Sequence, residues 1–112
     1  MNSALTAAGI TGRTRVYGIL ADPIYHVKAP EVMGALFARH GVDGVLVPLH
    51  VTADGLAAVV DGLRHLRNFG GFIATVPHKT ATTGLCDALT REAEQIGAVN
   101  CVRRDADGRM IG

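Results

Sequence analysis

The chain contains no run of about 18 apolar residues, so no segment reads as a membrane-spanning helix. Its N-terminus, Met-Asn-Ser-Ala-Leu-Thr-Ala-Ala-Gly, has neither a basic stretch nor a long apolar one, so no secretory signal is read. It holds only two cysteines, Cys86 and Cys101. With no secretory signal, the expectation is a cytoplasmic protein with free thiols. Both cysteines are read as small core residues, Cys86 on an apolar helical face and Cys101 in a strand-like run. The five histidines are scattered and form no zinc-ligand pattern. Eleven basic residues against ten acidic ones leave a net charge of +1. That balance argues against a nucleic-acid or acidic-membrane partner. No internal repeat, low-complexity stretch or G-x-G-x-x-G loop occurs. What remains is a 112-residue chain, 48% hydrophobic and 19% charged, the composition of one folded domain. It is too short for a dinucleotide-binding domain plus a substrate domain.

Residues 1–14 are small and polar and read as a flexible arm ahead of a domain over 15–112. Apolar runs at 15–20, 45–49, 72–76 and 98–103 predict strands. Ala21-Asp22-Pro23 ends the first and Pro77 the third, because proline fixes φ and lacks a donor. Val32, Met33, Leu36 and Phe37 recur at helical spacing over 29–40, with Pro30 in the first turn and Gly41 after the end. Leu56, Val59, Val60, Leu63 and Leu66 form a second stripe, with Thr52 as its N-cap. Asn68-Phe69-Gly70-Gly71 reads as the break before the third strand. Further helices are predicted over 78–87 and 90–96, the latter capped by Thr90. Asp105-Ala106-Asp107-Gly108 reads as a hairpin turn into a returning strand. The order β-α-β-α-β-α-α-β-β predicts a three-layer α-β-α fold, with a mostly parallel sheet and an antiparallel hairpin strand near the C-terminus. Gly112 falls just after that strand begins, and the expectation is a fragment or an unusually short product.

In an open α/β sheet, ligands bind beyond the carboxyl ends of the parallel strands. Asp22 to Pro30 follows the first strand, Thr75-Val76-Pro77-His78-Lys79 closes the third, and Gly97-Ala98-Val99-Asn100 follows the short helix. Lys79, Thr75 and Asn100 are polar groups at the ends of apolar elements and could hydrogen-bond a small polyhydroxylated ligand.

These segments, with Thr14-Arg15-Val16-Tyr17-Gly18-Ile19-Leu20-Ala21-Asp22-Pro23, resemble the substrate-binding N-terminal domain of the shikimate dehydrogenase family, in order and in spacing. The resemblance implies an NADP-dependent oxidoreductase that reversibly reduces a 3-dehydroshikimate-like ketone to the alcohol. It implies that Lys79 is catalytic and that Thr75 and Asn100 bind substrate. A lysine suits that role if its surroundings bring its pKa toward neutrality. The implied partner is a small hydroxylated carbocyclic acid, and homodimerisation stays open. From the residues alone, Lys79 reads equally as a solvated charge, Thr75 as a strand residue and Asn100 as a turn amide.

The first loop departs from the family pattern. Positions where the family has carboxylate-binding serines hold Tyr25 and Val27, a third serine position holds Ala29, and Ile73 stands where an asparagine is usual. Tyr25 and Val27 are therefore expected to line an altered substrate end. Lys28 reads as a solvated helix-start charge, and His26 and His78 as loop residues. The family's catalytic aspartate segment and its NADP-binding domain lie outside these residues, so the chain alone is expected to be inactive. Two other readings stand beside this one: a stand-alone small-molecule-binding module or relic, and a non-enzymatic assembly role.

Overall fold

The computed structural model describes residues 9–112. The first eight residues of the expected arm therefore lie outside the described residues. Nine elements follow: β1 (Arg15–Ala21), α1 (Ala29–Arg39), β2 (Gly44–His50), α2 (Leu56–Leu63), β3 (Phe69–Ala74), α3 (Lys79–Thr83), α4 (Arg91–Ile96), β4 (Cys101–Arg104) and β5 (Met110–Ile111). They build one five-stranded sheet in the order β2-β1-β3-β4-β5. β1 pairs in parallel with β2 and β3, whereas β4 runs antiparallel to both β3 and β5. The α/β class is as predicted, and the parallel half of the sheet carries the crossover helices.

Alternation along β1 divides the layers. Val16 and Leu20 turn toward the core that holds Leu56 and Val60 of α2. Tyr17, of opposite parity, meets Phe37 of α1 with ring centroids 5.4 Å apart. The two long helices thus lie on opposite faces, giving the three layers. The main core is on the α2 face, where Leu20, Leu56, Val60, Phe69, Phe72, Val102 and Met110 are buried. The α1 stripe is covered less fully than its spacing predicts: Val32 and Leu36 are exposed, and no residue of α1 is fully buried.

Four boundaries differ from expectation. β3 begins at Phe69, so Gly70 and Gly71 are strand residues and not a break. A side chain on Gly71, at φ +150, would run into the carbonyl oxygen of Val102. Glycine here marks close approach of two strands. Helix α2 starts at Leu56, and Thr52 instead accepts from the Gly55 amide at 3.2 Å, closing the turn before it. α3 ends at Thr83 with Gly84 following, which leaves Cys86 outside a helix and half-buried. β4 starts at Cys101, so residues 98–100 lead into the strand and do not form part of it.

Cys101 corrects the reading of both cysteines as core. In β4 the side chains alternate, and Val102 and Arg104 take the buried positions. Cys101 therefore faces outward and is exposed. Burial pushes the Cys86 thiol above its ordinary pKa, and the neighbouring Asp87 charge adds to this, so it stays a neutral thiol.

The short helix α4 forms as its sequence dictates. The Thr90 hydroxyl accepts from the Ala93 amide at 3.1 Å, and Gly97 ends the helix at φ +75. No helix among the described residues is long and apolar enough to cross a membrane.

Candidate functional site

β1 and β3 end side by side, and main-chain bonds tie the loops that leave them. The Thr75 amide donates to the Leu20 carbonyl at 3.1 Å, and the Asp22 amide to the Val76 carbonyl at 3.1 Å. The peptide bonds Asp22–Pro23 and Val76–Pro77 are both cis. The His78 amide donates to the Thr75 carbonyl at 2.7 Å, turning the chain directly into α3. Lys79 is the first residue of that helix and is exposed.

His78 lies, as read, in the loop between β3 and α3, but it is fully buried there. Its Nε2 lies 2.8 Å from the Val51 carbonyl oxygen. A carbonyl can only accept, so Nε2 carries the proton and donates. Its Nδ1 is buried without a hydrogen-bond partner among the described residues. The Thr82 hydroxyl also donates to the His78 carbonyl, at 2.6 Å. The residue before the lysine is therefore pinned to the segment that follows β2. No pattern in the sequence marks this contact, because its partner is a main-chain atom 27 positions away.

β4 brings in the other side of the site. Its antiparallel course against β3 sets Asn100, just before β4, beside the end of β3. The Ala74 amide donates to the Asn100 carbonyl at 3.0 Å, and the Val99 amide to the Lys79 carbonyl at 3.0 Å. Lys79 and Asn100 then line one cavity of about 460 Å³, together with Thr90, Glu92, Cys101 and Gly112. A volume of this order suits a small molecule. Glu92 and Cys101 are lining residues that the sequence reading missed. The Thr90 cap signal marked a helix start, not a cavity wall.

Thr75 is half-buried just past the end of β3 and does not line this cavity; its main-chain bonds go to Leu20 and His78. Tyr25 and Val27 do not line the cavity. Tyr25 is 79% exposed and sits edge-on against His50 at the end of β2, with ring centroids 5.3 Å apart. His50 Nε2 in turn lies 2.7 Å from Asp22 Oδ1. The substituted loop thus leans toward the β2 side of the sheet, while Lys79 and Asn100 stand on the β4 side. His26 and Lys28 are exposed, Lys28 at the N-terminal cap of α1. The described residues contain no group of three or more potential metal ligands.

Comparison with known proteins accounts for this arrangement. Residues 19–102 match the family model described as the shikimate dehydrogenase substrate binding domain. The NADP(+) shikimate dehydrogenase of Rhodospirillum rubrum is 42% identical over 103 residues, covering 92% of this chain and 36% of the relative. The shikimate 5-dehydrogenase of Listeria monocytogenes, solved with shikimate and NAD, superposes with a TM-score of 0.86 at 38% identity, over 92% of this chain and 35% of that one. The ligand-free 5-ketofructose reductase of Gluconobacter sp. strain CHM43 gives a TM-score of 0.85 at 30% identity, over 91% and 36%. The chain spans about a third of the length of the curated relatives it matches (36% of the first). Matched in sequence over most of its length and in fold over nearly all of the described part, the chain belongs to the shikimate dehydrogenase family and corresponds to its substrate-binding domain.

Proposed function

We propose that this chain is the substrate-binding part of an NADP-dependent oxidoreductase of the cytoplasm that interconverts a small cyclic hydroxy compound and its ketone. The observation that carries the reading is that Lys79 and Asn100 open onto one cavity at the carboxyl end of the sheet. In this reading Lys79 passes a proton to or from the substrate oxygen, while Asn100 and Thr75 hold neighbouring hydroxyls. His78, fixed on the Val51 carbonyl, orients the start of α3 and with it the lysine backbone. When bound, NADPH would supply the hydride for ketone reduction, and NADP+ would accept it in the reverse direction. Nothing among these residues fits that cofactor, because no glycine-rich loop leads from a strand into a helix start. The 112 residues alone are therefore expected to bind substrate without turning it over.

The test is calorimetric titration of the chain with shikimate, quinate and an uncharged polyol, repeated with Lys79→Ala. Saturable binding of one of these that the substitution weakens supports the reading. Absence of binding by all three overturns it.

One observation favours a particular substrate class. Val27 offers no hydrogen-bond donor, and Tyr25 stacks on His50 outside the cavity. A ligand whose carboxylate needs hydroxyl donors at those positions would find none from Val27. A polyhydroxylated ketone lacking a carboxylate fits this loop better than shikimate does. The likeness to a 5-ketofructose reductase supports that direction.

A further inference from the structure

The opposite end of the sheet carries a concentration of guanidinium groups that the substrate chemistry does not use. Arg15 opens β1, Arg64 caps the end of α2, Arg67 lies in the turn before β3, and Arg104 closes β4. With His65 and Asp107 they line a cavity of about 610 Å³.

Arg104 is the centre of this arrangement. It is only 7% exposed, yet no carboxylate among the described residues lies within ion-pair distance of it. Its Nε donates to the Arg64 carbonyl at 2.9 Å and one terminal nitrogen to the Asp105 carbonyl at 3.2 Å. These bonds fix the plane of the guanidinium without neutralising it. Buried arginines are ordinarily paired, because an uncompensated charge in the interior is costly. Gly108, at φ +90, keeps the neighbouring space open: a side chain there would stand 3.1 Å from the Arg64 carbonyl and 3.7 Å from the second terminal nitrogen of Arg104. Arg64 is differently engaged, since it pairs with Asp87 and donates to the Leu85 carbonyl at 2.9 Å.

We propose that this cavity is a binding site for a small phosphate-bearing anion. Asp87 pairs with Arg64, and Asp61 lies 3.9 Å from it, whereas no carboxylate among the described residues pairs with Arg15, Arg67 or Arg104. The lining sets four guanidinium groups against the single carboxylate of Asp107, an excess that complements a phosphomonoester dianion more than a single carboxylate. The fixed planar fork of Arg104 suits bidentate contact with phosphate oxygens, and exposed Arg15 and Arg67 can close over the ligand. The volume falls in the range of small-metabolite sites. β1 separates this cavity from the Lys79 end by seven residues, about 20 Å at ~3.3 Å per residue, so the anion is not the substrate.

The experiment is isothermal titration of the 112-residue chain at constant ionic strength with inorganic phosphate, glucose 6-phosphate, shikimate and a polyglutamate peptide. Arg15→Glu/Arg67→Glu is titrated beside it. Both residues are exposed, so the double variant should unfold at the unliganded wild-type temperature. The expected result is one saturable phosphate site that the double variant weakens by at least about tenfold. Shikimate should leave that site unaffected. Tighter binding of glucose 6-phosphate identifies a phosphomonoester as the ligand, and equal binding identifies phosphate itself. Absence of saturable binding up to about 10 mM overturns the proposal. So does affinity that the double variant leaves intact, competition by shikimate, or equal binding of the peptide, which would assign the surface to an acidic protein.

Discussion

The Val99 amide donates to the Lys79 carbonyl at 3.0 Å, bonding the helix start that carries the lysine to the segment that carries Asn100. The two motifs are 21 positions apart, yet one hydrogen bond fixes their separation. Geometry at this pair is therefore set by the main chain, and side-chain substitutions there should alter chemistry more than fold.

Lys79→Ala is the direct case. In a chimera where this chain replaces the matching region of the Rhodospirillum rubrum enzyme, it should lower kcat by about 10²–10⁴-fold, the usual loss for a general acid or base. Lys79 is exposed, so the thermal unfolding midpoint should not move. Wild-type kcat in the variant would reduce the lysine to a surface charge.

Tyr25→Ser with Val27→Ser restores two hydroxyl donors to the first loop. Hydrogen bonds to a charged group contribute about 1.5–3 kcal/mol each, so affinity for shikimate should rise at least about tenfold. Calorimetry on the chain reads this directly. Unchanged affinity would show that the loop does not set the substrate class.

Gly71→Ala should be among the most damaging single changes. The added methyl meets the Val102 carbonyl oxygen across the β3–β4 ladder, and φ +150 disfavours any side chain. A loss of more than about 2 kcal/mol in urea unfolding is expected. Gly62, where an added methyl meets nothing, is the control and should tolerate alanine.

Asp87→Asn tests the electrostatics of the arginine end. The Asp87 carboxyl is held below its ordinary pKa chiefly by the Met110 amide, which donates to it at 2.7 Å, with Arg64 adding to the effect and partial desolvation opposing it. A depressed folded pKa contributes stability that is present above the unfolded value of about 4 and is lost as pH falls through the folded value. The variant should be less stable by about 1 kcal/mol at neutral pH, the discounted magnitude for a carboxylate more than a third open to solvent. The difference should shrink on acidification below about pH 4. A difference that stayed constant through that range would rule out the carboxylate charge as its source.

The helices and strands were legible where periodicity was strong. Pro30, Gly41 and Thr90 mark helix ends in the sequence and do so in the structure. The start of β3 was not legible, because Gly70 and Gly71 are breakers by propensity and strand residues only by virtue of what lies across from them. α3 stops early because Asp87, expected inside a helix, instead bonds the Met110 amide and Arg64. In the site, Lys79, Thr75 and Asn100 stood out because they fall at element ends. Buried His78 and exposed Cys101 did not, since the first depends on a distant carbonyl and the second on which face of β4 the core takes.

The reversal between β3 and β4 has a consequence for how much this chain can vary. Lys79 follows the last residue of β3 and Asn100 precedes the first of β4, while the turn at 105–108 stands at the far pole with the arginines. Lys79 and Asn100 both precede that turn, so residues gained or lost in it leave their pairing in register. The same change between Gly84 and Gly97 would carry Asn100 away from Lys79. The fold thus holds chain length strictly between Lys79 and Asn100, while a length change in the far turn would fall on the arginine cavity and leave that pairing alone.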